Sequence, residues 1–188
     1  MALLVMDVQE SIVARFAQAD NYLPRIQTAI TAARSASLPV IYVRVAFRPG
    51  FPEINPQNKA FAALKQQQGA WQPSMNATEI HPAIAPQPTD IVVTKRRISA
   101  FSGSDLELVL RARGITHLVL CGIATSGVVL STLREAADKD YELTVLADGC
   151  VDSDEEVQRV LLSKVFPRQA DVVSVAAWQA RLTADDDT

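Results

Sequence analysis

The residues of this 188-residue chain that could do chemistry stand directly after, or within, short apolar runs. Asp7 follows Ala2 to Met6, with Gln9 two residues further on, and Arg44 lies inside Val40 to Val45. Lys95 follows Asp90 to Thr94 and is itself followed by Arg96 and Arg97. Thr116 to Cys121 leads into the glycine-flanked segment Gly122 to Ser126, and Glu142 to Ala147 leads to Asp148. If these runs are parallel strands, their carboxyl ends form one rim, where open sheets collect ligands. An acid, a base and a helix start then converge there, a set suited to proton transfer. On the residues alone a second reading stays open, in which Asp7 only caps a turn and Lys95 is a surface cation.

Other chemistries lack their parts. Gly122 and Gly127 have the spacing of a phosphate-binding loop, but Val128 and Val129 occupy the places of its lysine and hydroxyl residue. No serine has the surroundings of a nucleophile elbow. The only histidines, His81 and His117, are far apart and have no acidic partners at helical spacing, so no metal site is expected and neither suits a triad. His117 reads as a packed residue and His81 as a loop residue. Trp71 and Trp178 read as core or interface anchors rather than substrate stackers. Cys121 and Cys150 are too few for a disulfide framework and read as reduced thiols.

The elements that must position the rim follow from periodicity. The five runs above and a sixth, Asp171 to Val175, are rich in Val, Leu and Ile with little polar alternation, as expected of parallel strands covered on both faces. Between them, helical spacing links Leu23, Ile26, Ile30 and Ala33; Leu106, Val109 and Leu110; Val129, Leu133 and Ala136; and Val157, Val160, Leu161 and Val165. Ser104 with Glu107 and Ser153 with Glu156 have capping-box spacing, and Gly114 has the place of a C-terminal cap. The alternation predicts an α/β fold, a doubly wound parallel sheet. Phe47 to Pro88 breaks the pattern with seven of the ten prolines and one weak helical stretch near Asn58 to Leu64. It reads as an excursion over the sheet edge, a lid or a subunit contact.

Length and 48% hydrophobic residues fit one domain over residues 1–183, with a frayed tail at 184–188. A net charge of -3 with both signs dispersed argues against a nucleic-acid partner. The opening MALLVMD is too short for a signal peptide, and no run approaches membrane-spanning length, so a cytoplasmic protein with no membrane partner is expected.

Four segments together resemble the isochorismatase-like, or cysteine hydrolase, superfamily: MDVQ at Met6 to Gln9, VTKRRISAF at Val93 to Phe101, LVLCGIATSGVVLSTLREAADKDY at Leu118 to Tyr141, and VLADGCVDSDEEV at Val145 to Val157. The resemblance covers nearly the whole chain. It implies a three-layer α/β/α, Rossmann-like fold with a six-stranded parallel sheet, and a homodimer or higher homo-oligomer. It also implies a catalytic Asp, Lys and Cys. The first two map onto Asp7 and Lys95, and the third falls on Val128, which has no nucleophilic atom. Gln9, Arg96, Phe101, Ala124, Thr125 and Ser126 fall at the substrate-binding or oxyanion site, where the peptide between the residues matching Ala124 and Thr125 is often cis. The nicotinamidase metal ligands are missing, and no cofactor is implied.

Isochorismatases without the thiol hydrolyse a vinyl ether after protonation by the aspartate. By that resemblance Asp7 is the acid, while Lys95 orients it and binds a substrate carboxylate with help from Arg96 or Arg97. Ser126 stands where those enzymes carry a histidine, which implies a different substrate. The expected function is therefore hydrolysis of a small molecule without a covalent intermediate. The alternatives are a catalytically silent binding or assembly module, or an amidase using another thiol such as Cys121 or Cys150.

Overall fold

Alternation along the first strand sets the layers. In the computed structural model, which describes residues 1–16, 21–68 and 79–185, β1 spans Ala2–Met6 and is wholly buried. Its side chains divide between two cores: Ala2, Leu4 and Met6 enter one, Leu3 and Val5 the other. A strand that is apolar on both faces can only be a central one. The remaining strands are β2 (Val40–Val45), β3 (Ile91–Lys95), β4 (His117–Ile123), β5 (Glu142–Val151) and β6 (Asp171–Val173). All pairings are parallel, in the order β3-β2-β1-β4-β5-β6. The chain winds outward in one direction from β1 and in the other from β4, so the switch point lies between these two strands.

The helices are α1 (Glu10–Val13), α2 (Tyr22–Ser35), α3 (Lys59–Gln68), α4 (Leu106–Ala112), α5 (Leu130–Asp138), α6 (Glu155–Val160) and α7 (Val175–Asp185). Leu106 and Leu110 of α4, and Leu133 and Ala136 of α5, close the core on Leu4 and Met6. Ile26, Ala29 and Ile30 of α2 and Trp178 of α7 close the other on Leu3 and Val5. Trp178 is thus the core anchor that the sequence suggests. Among the described residues, no helix is long and apolar enough to cross a membrane.

Several boundaries differ from expectation. Lys95 is the last residue of β3, not the first beyond it, and β4 continues through Gly122 and Ile123. β5 runs to Val151 because its pairing with β4 jumps from Leu120↔Val145 to Gly122↔Cys150, so Asp148 lies inside an irregular stretch of strand. There Asp148 accepts a hydrogen bond from Val175 N at 2.8 Å and starts α7, which takes it out of the candidate site. That helix includes Ala184 and Asp185, the first two residues of the expected tail.

Neither capping box forms. Ser104 Oγ donates to Ala100 O at 2.6 Å while Glu107 pairs with Arg111 and Lys139, and Asp154 rather than Ser153 caps α6 by accepting from Glu156 N and Val157 N. A carboxylate one position later is the stronger acceptor for the free N–H groups. Gly114 does end α4: its φ is +61°, and Gly114 N and Ile115 N bond back to Arg111 O and Leu110 O.

Within the excursion, Phe47 packs against Phe51 and Phe61 at ring-centroid distances of 6.1 and 5.5 Å. Ile80 bridges to Gln9, and His81, a loop residue as expected, accepts from Ala83 N. Trp71 lies outside the described residues.

The switch point depends on a missing side chain. Gly122 lies opposite Met6, and a Cβ there would stand 2.2 Å from Met6 O, a backbone atom that cannot swing aside. Its φ of +150° is also one that L side chains rarely adopt. Gly122→Ala is therefore expected to cost about 3 kcal/mol or more, above an ordinary overpacking penalty. A denaturant titration giving wild-type stability would refute this account of the β1–β4 contact.

Candidate active site

Asp7 begins where β1 ends. Its backbone is left-handed, with φ +56°, a conformation that aspartate tolerates better than most residues, and Asp7 N donates to Val43 O at 2.8 Å. Strand alternation stops there, and the side chain turns toward β3. Lys95 shares the face of Val93, directly opposite Val45, and its ammonium reaches past β2 to Asp7 Oδ2 at 2.9 Å.

The pair is deeply buried, at 6% exposure for Asp7 and 2% for Lys95. An ammonium group has three N–H donors, and besides Asp7 this one donates to Arg97 O and Ile98 O, each at 2.9 Å. All its donors are thereby used. The expectation that Lys95 also binds a substrate carboxylate is not met by this arrangement: it would have to release a carbonyl or Asp7 to do so. Asp7 is the opposite case. Its Oδ1 has no hydrogen-bond partner among the described residues. Burial pushes the carboxyl from 3.8 up to about 6, against the attraction and hydrogen bond of Lys95, which pull it down. Its protonation equilibrium therefore lies much closer to neutral pH than that of an ordinary carboxyl.

β4 delivers the third part. The cis peptide joins Ile123 to Ala124, one bond earlier than expected from the resemblance. Ala124 O then accepts from Gly127 N and Val129 N as a π-type turn over Thr125–Val129 opens into α5. Thr125 is fully buried, and its Oγ1 has no partner among the described residues. Ser126 is exposed, with its backbone N–H donated to Asp152 Oδ2 at 2.7 Å. Val128 is 2% exposed and belongs to the same core as Met6 and Phe101.

The other expected contacts point elsewhere. Gln9 uses its amide to clamp the end of β2, accepting from Val45 N at 2.8 Å and donating to Val45 O at 3.1 Å. Phe101 turns its ring to Tyr141, which leads into the amino end of β5, so the helix layer takes it up rather than the rim. Arg96 faces Glu53 in a cleft with Arg48, Thr94, Gly103 and Asp105, on the face of β3 opposite Lys95. Arg44 is spent on Glu79 and Thr94. His117 is half-buried against Thr144, a packed residue as expected.

Both thiols are sealed in the sheet, on opposite faces. Cys121 Sγ lies against Leu4 O, with burial raising it well above the ordinary thiol range, and burial pushes Cys150 up to about 12. Neither supplies thiolate near neutral pH. Sequence reasoning missed Glu53, Ile98 and the burial of Thr125; the carbonyl ligands of Lys95 had no sequence signal at all, because every residue has a carbonyl.

A profile of the Isochorismatase domain matches residues 1–177. The isochorismatase family protein YwoC of Bacillus subtilis (strain 168) is 35% identical over 167 residues, covering 89% of this chain and 86% of the relative. The isochorismatase family protein YecD of Escherichia coli O157:H7 is 36% identical over 182 residues, covering 93% and 92%. Among solved structures, a cysteine hydrolase from Pseudomonas syringae pv. phaseolicola 1448A superposes with a TM-score of 0.87 at 25% identity, covering 97% of this chain and 92% of that one.

The raised Asp7 carboxyl makes stability depend on pH. The folded chain holds the Asp7 proton more tightly than the unfolded chain, so this contribution is full below 3.8 and is lost as pH rises through about 6. Relative to Asp7→Asn, the wild type is expected to lose on the order of 3 kcal/mol between about pH 4 and about pH 7. Parallel denaturation curves whose difference does not vary with pH would show that the carboxyl is not so perturbed.

Proposed function

This chain belongs to the isochorismatase family, a hydrolase family, and on that premise we propose that it hydrolyses a small molecule by proton transfer at Asp7, with no covalent bond to the protein. The observation that carries the reading is the division of labour within one carboxyl group: Oδ2 is tied to Lys95, while Oδ1 is buried and has no partner among the described residues. A proton held on Oδ1 at a midpoint of about 6 can be given to a substrate and taken back in the same pH range.

The sequence of events follows from what the residues lack. Val128 offers no lone pair, so a protein-bound intermediate cannot start at the position matching the family cysteine. With a vinyl ether, the Asp7 proton goes to the double bond, an oxocarbenium-like cation forms, and water adds to it. The proton released by that water returns to the Asp7 carboxylate, and the resulting hemiketal separates into a carbonyl compound and an alcohol. Lys95 is the positioning cation, which holds Asp7 in place and limits how far burial raises it. Thr125 Oγ1, buried and without a partner among the described residues, is a better candidate for a substrate contact than Gln9, Arg96 or Phe101, whose side chains are engaged elsewhere. A homodimer or larger assembly in the cytoplasm remains part of this proposal.

A second reading, a catalytically silent binding or assembly module, is favoured by one observation: Asp7, Lys95 and Val128 together expose almost no surface. Vinyl ethers, amides and lactams offered to the wild type and to Asp7→Asn separate the two. Asparagine keeps the left-handed backbone accessible, so the variant should fold and lose turnover by about a hundredfold or more. Full activity in that variant would sink the acid–base proposal, and a ligand that binds without turnover would support the module.

The buried thiols carry their own expectation: iodoacetamide treatment of the folded protein leaves hydrolysis unchanged. Loss of activity in proportion to alkylation of Cys121 or Cys150 would instead mark a thiol mechanism.

A further inference from the structure

Lys95 can hold Asp7 only if something holds Lys95. Its ammonium points where the carbonyls of Arg97 and Ile98 direct it, so the placement of that short loop sets the direction of the third N–H toward Asp7. The loop is gripped from the Phe47 to Pro88 excursion. Arg97 Nη2 donates to Glu53 O at 3.0 Å and Arg97 Nη1 to Arg96 O at 2.7 Å. Glu53 Oε1 accepts from Arg48 Nη1 at 2.7 Å and Arg96 Nε at 3.4 Å. The Arg97 guanidinium also lies 6.0 Å from the centre of the Phe61 ring on α3. The Glu53 side chain is 13% exposed, far less than its partner Arg48 at 67%, which marks Glu53 as the hub.

We infer that Glu53 is a positioning residue for the Asp7–Lys95 pair, fastening the excursion to the loop whose carbonyls aim the Lys95 ammonium. The inference rests on the proposed role of Asp7. A carboxylate at this point offsets the charges of Arg48 and Arg96; without it the two cations repel and lose their shared acceptor. The 96–98 backbone then loosens, Lys95 spends less time on Asp7, and burial of the carboxyl goes less opposed. Lys95 of β3 faces Asp7 directly, and the buried Tyr22 hydroxyl of α2 is close enough to be affected by its charge. Glu53 therefore reaches Asp7 through Lys95.

The test is the pH titration of the Asp7 carboxyl carbon by NMR in the full chain, alongside kinetics on whatever substrate the screen finds. Glu53→Gln removes the charge and keeps the shape. The Asp7 midpoint is expected to rise above its wild-type value, with kcat reduced about tenfold and KM within about twofold, as for a misoriented catalytic group. Glu107→Gln removes an equal charge from another paired glutamate, one that serves Arg111 and Lys139, and should leave the midpoint in place. Should Glu53→Gln not fold, Arg97→Lys, which weakens the grip on Glu53 O, is expected to raise the midpoint in the same way. An unmoved midpoint in the folded Glu53 or Arg97 variant, or an equal move in Glu107→Gln, overturns the inference. Absence of turnover in the wild type would count against the hydrolase proposal alone, since the titration still decides the role of Glu53.

Discussion

One buried ion pair places the heaviest demand on this fold. Removing a carboxylate and an ammonium from water costs several kcal/mol per ion, and their attraction offsets that cost only with close geometry and additional hydrogen bonds. Lys95 meets the condition in full through the carbonyls of Arg97 and Ile98, and Asp7 meets it by half. The imbalance within the pair is what leaves Asp7 able to carry a proton rather than remain a permanent carboxylate.

Much of the architecture near the rim can be understood as bringing these two groups together. They sit on strands separated by β2, so the three strands must end in register, and the parallel pairings Met6↔Val43 and Val45↔Lys95 arrange this. Gln9 clamps both backbone groups of Val45, fixing the strand that the lysine must pass. Gly122 lets β4 approach Met6 closely enough to bring the Ala124 turn alongside. Polar residues that look catalytic by position are largely consumed in such support. The thiols lie in the two cores on opposite faces of the sheet rather than at the rim.

How much of this is legible in the sequence varies with the range of the interaction. The six strands were marked by their apolar runs, and the Gly114 cap by a requirement for positive φ that glycine meets locally. The capping boxes misled, since a serine three residues before a glutamate is compatible with several local arrangements, and Ser104 found carbonyl acceptors within its own loop. Phe101 shows the limit from another side. Its motif placed it next to the rim, yet an aromatic ring goes where the larger apolar surface is, here beside Tyr141.

The sequence by itself determined the alternation of strand and helix, the family resemblance, the place of Asp7 and Lys95 at the ends of two apolar runs, and the absence of a nucleophilic side chain at Val128. Those features depend on residue type and on spacing along the chain. Tertiary structure alone decided which donors and acceptors are already spent: the three partners of Lys95, the clamp made by Gln9, the grip of Glu53, and the oxygens of Asp7 and Thr125 that have no partner among the described residues. The physical reason is that hydrogen-bond saturation and desolvation are set by neighbours distant in sequence, many of them backbone carbonyls that carry no mark of residue identity.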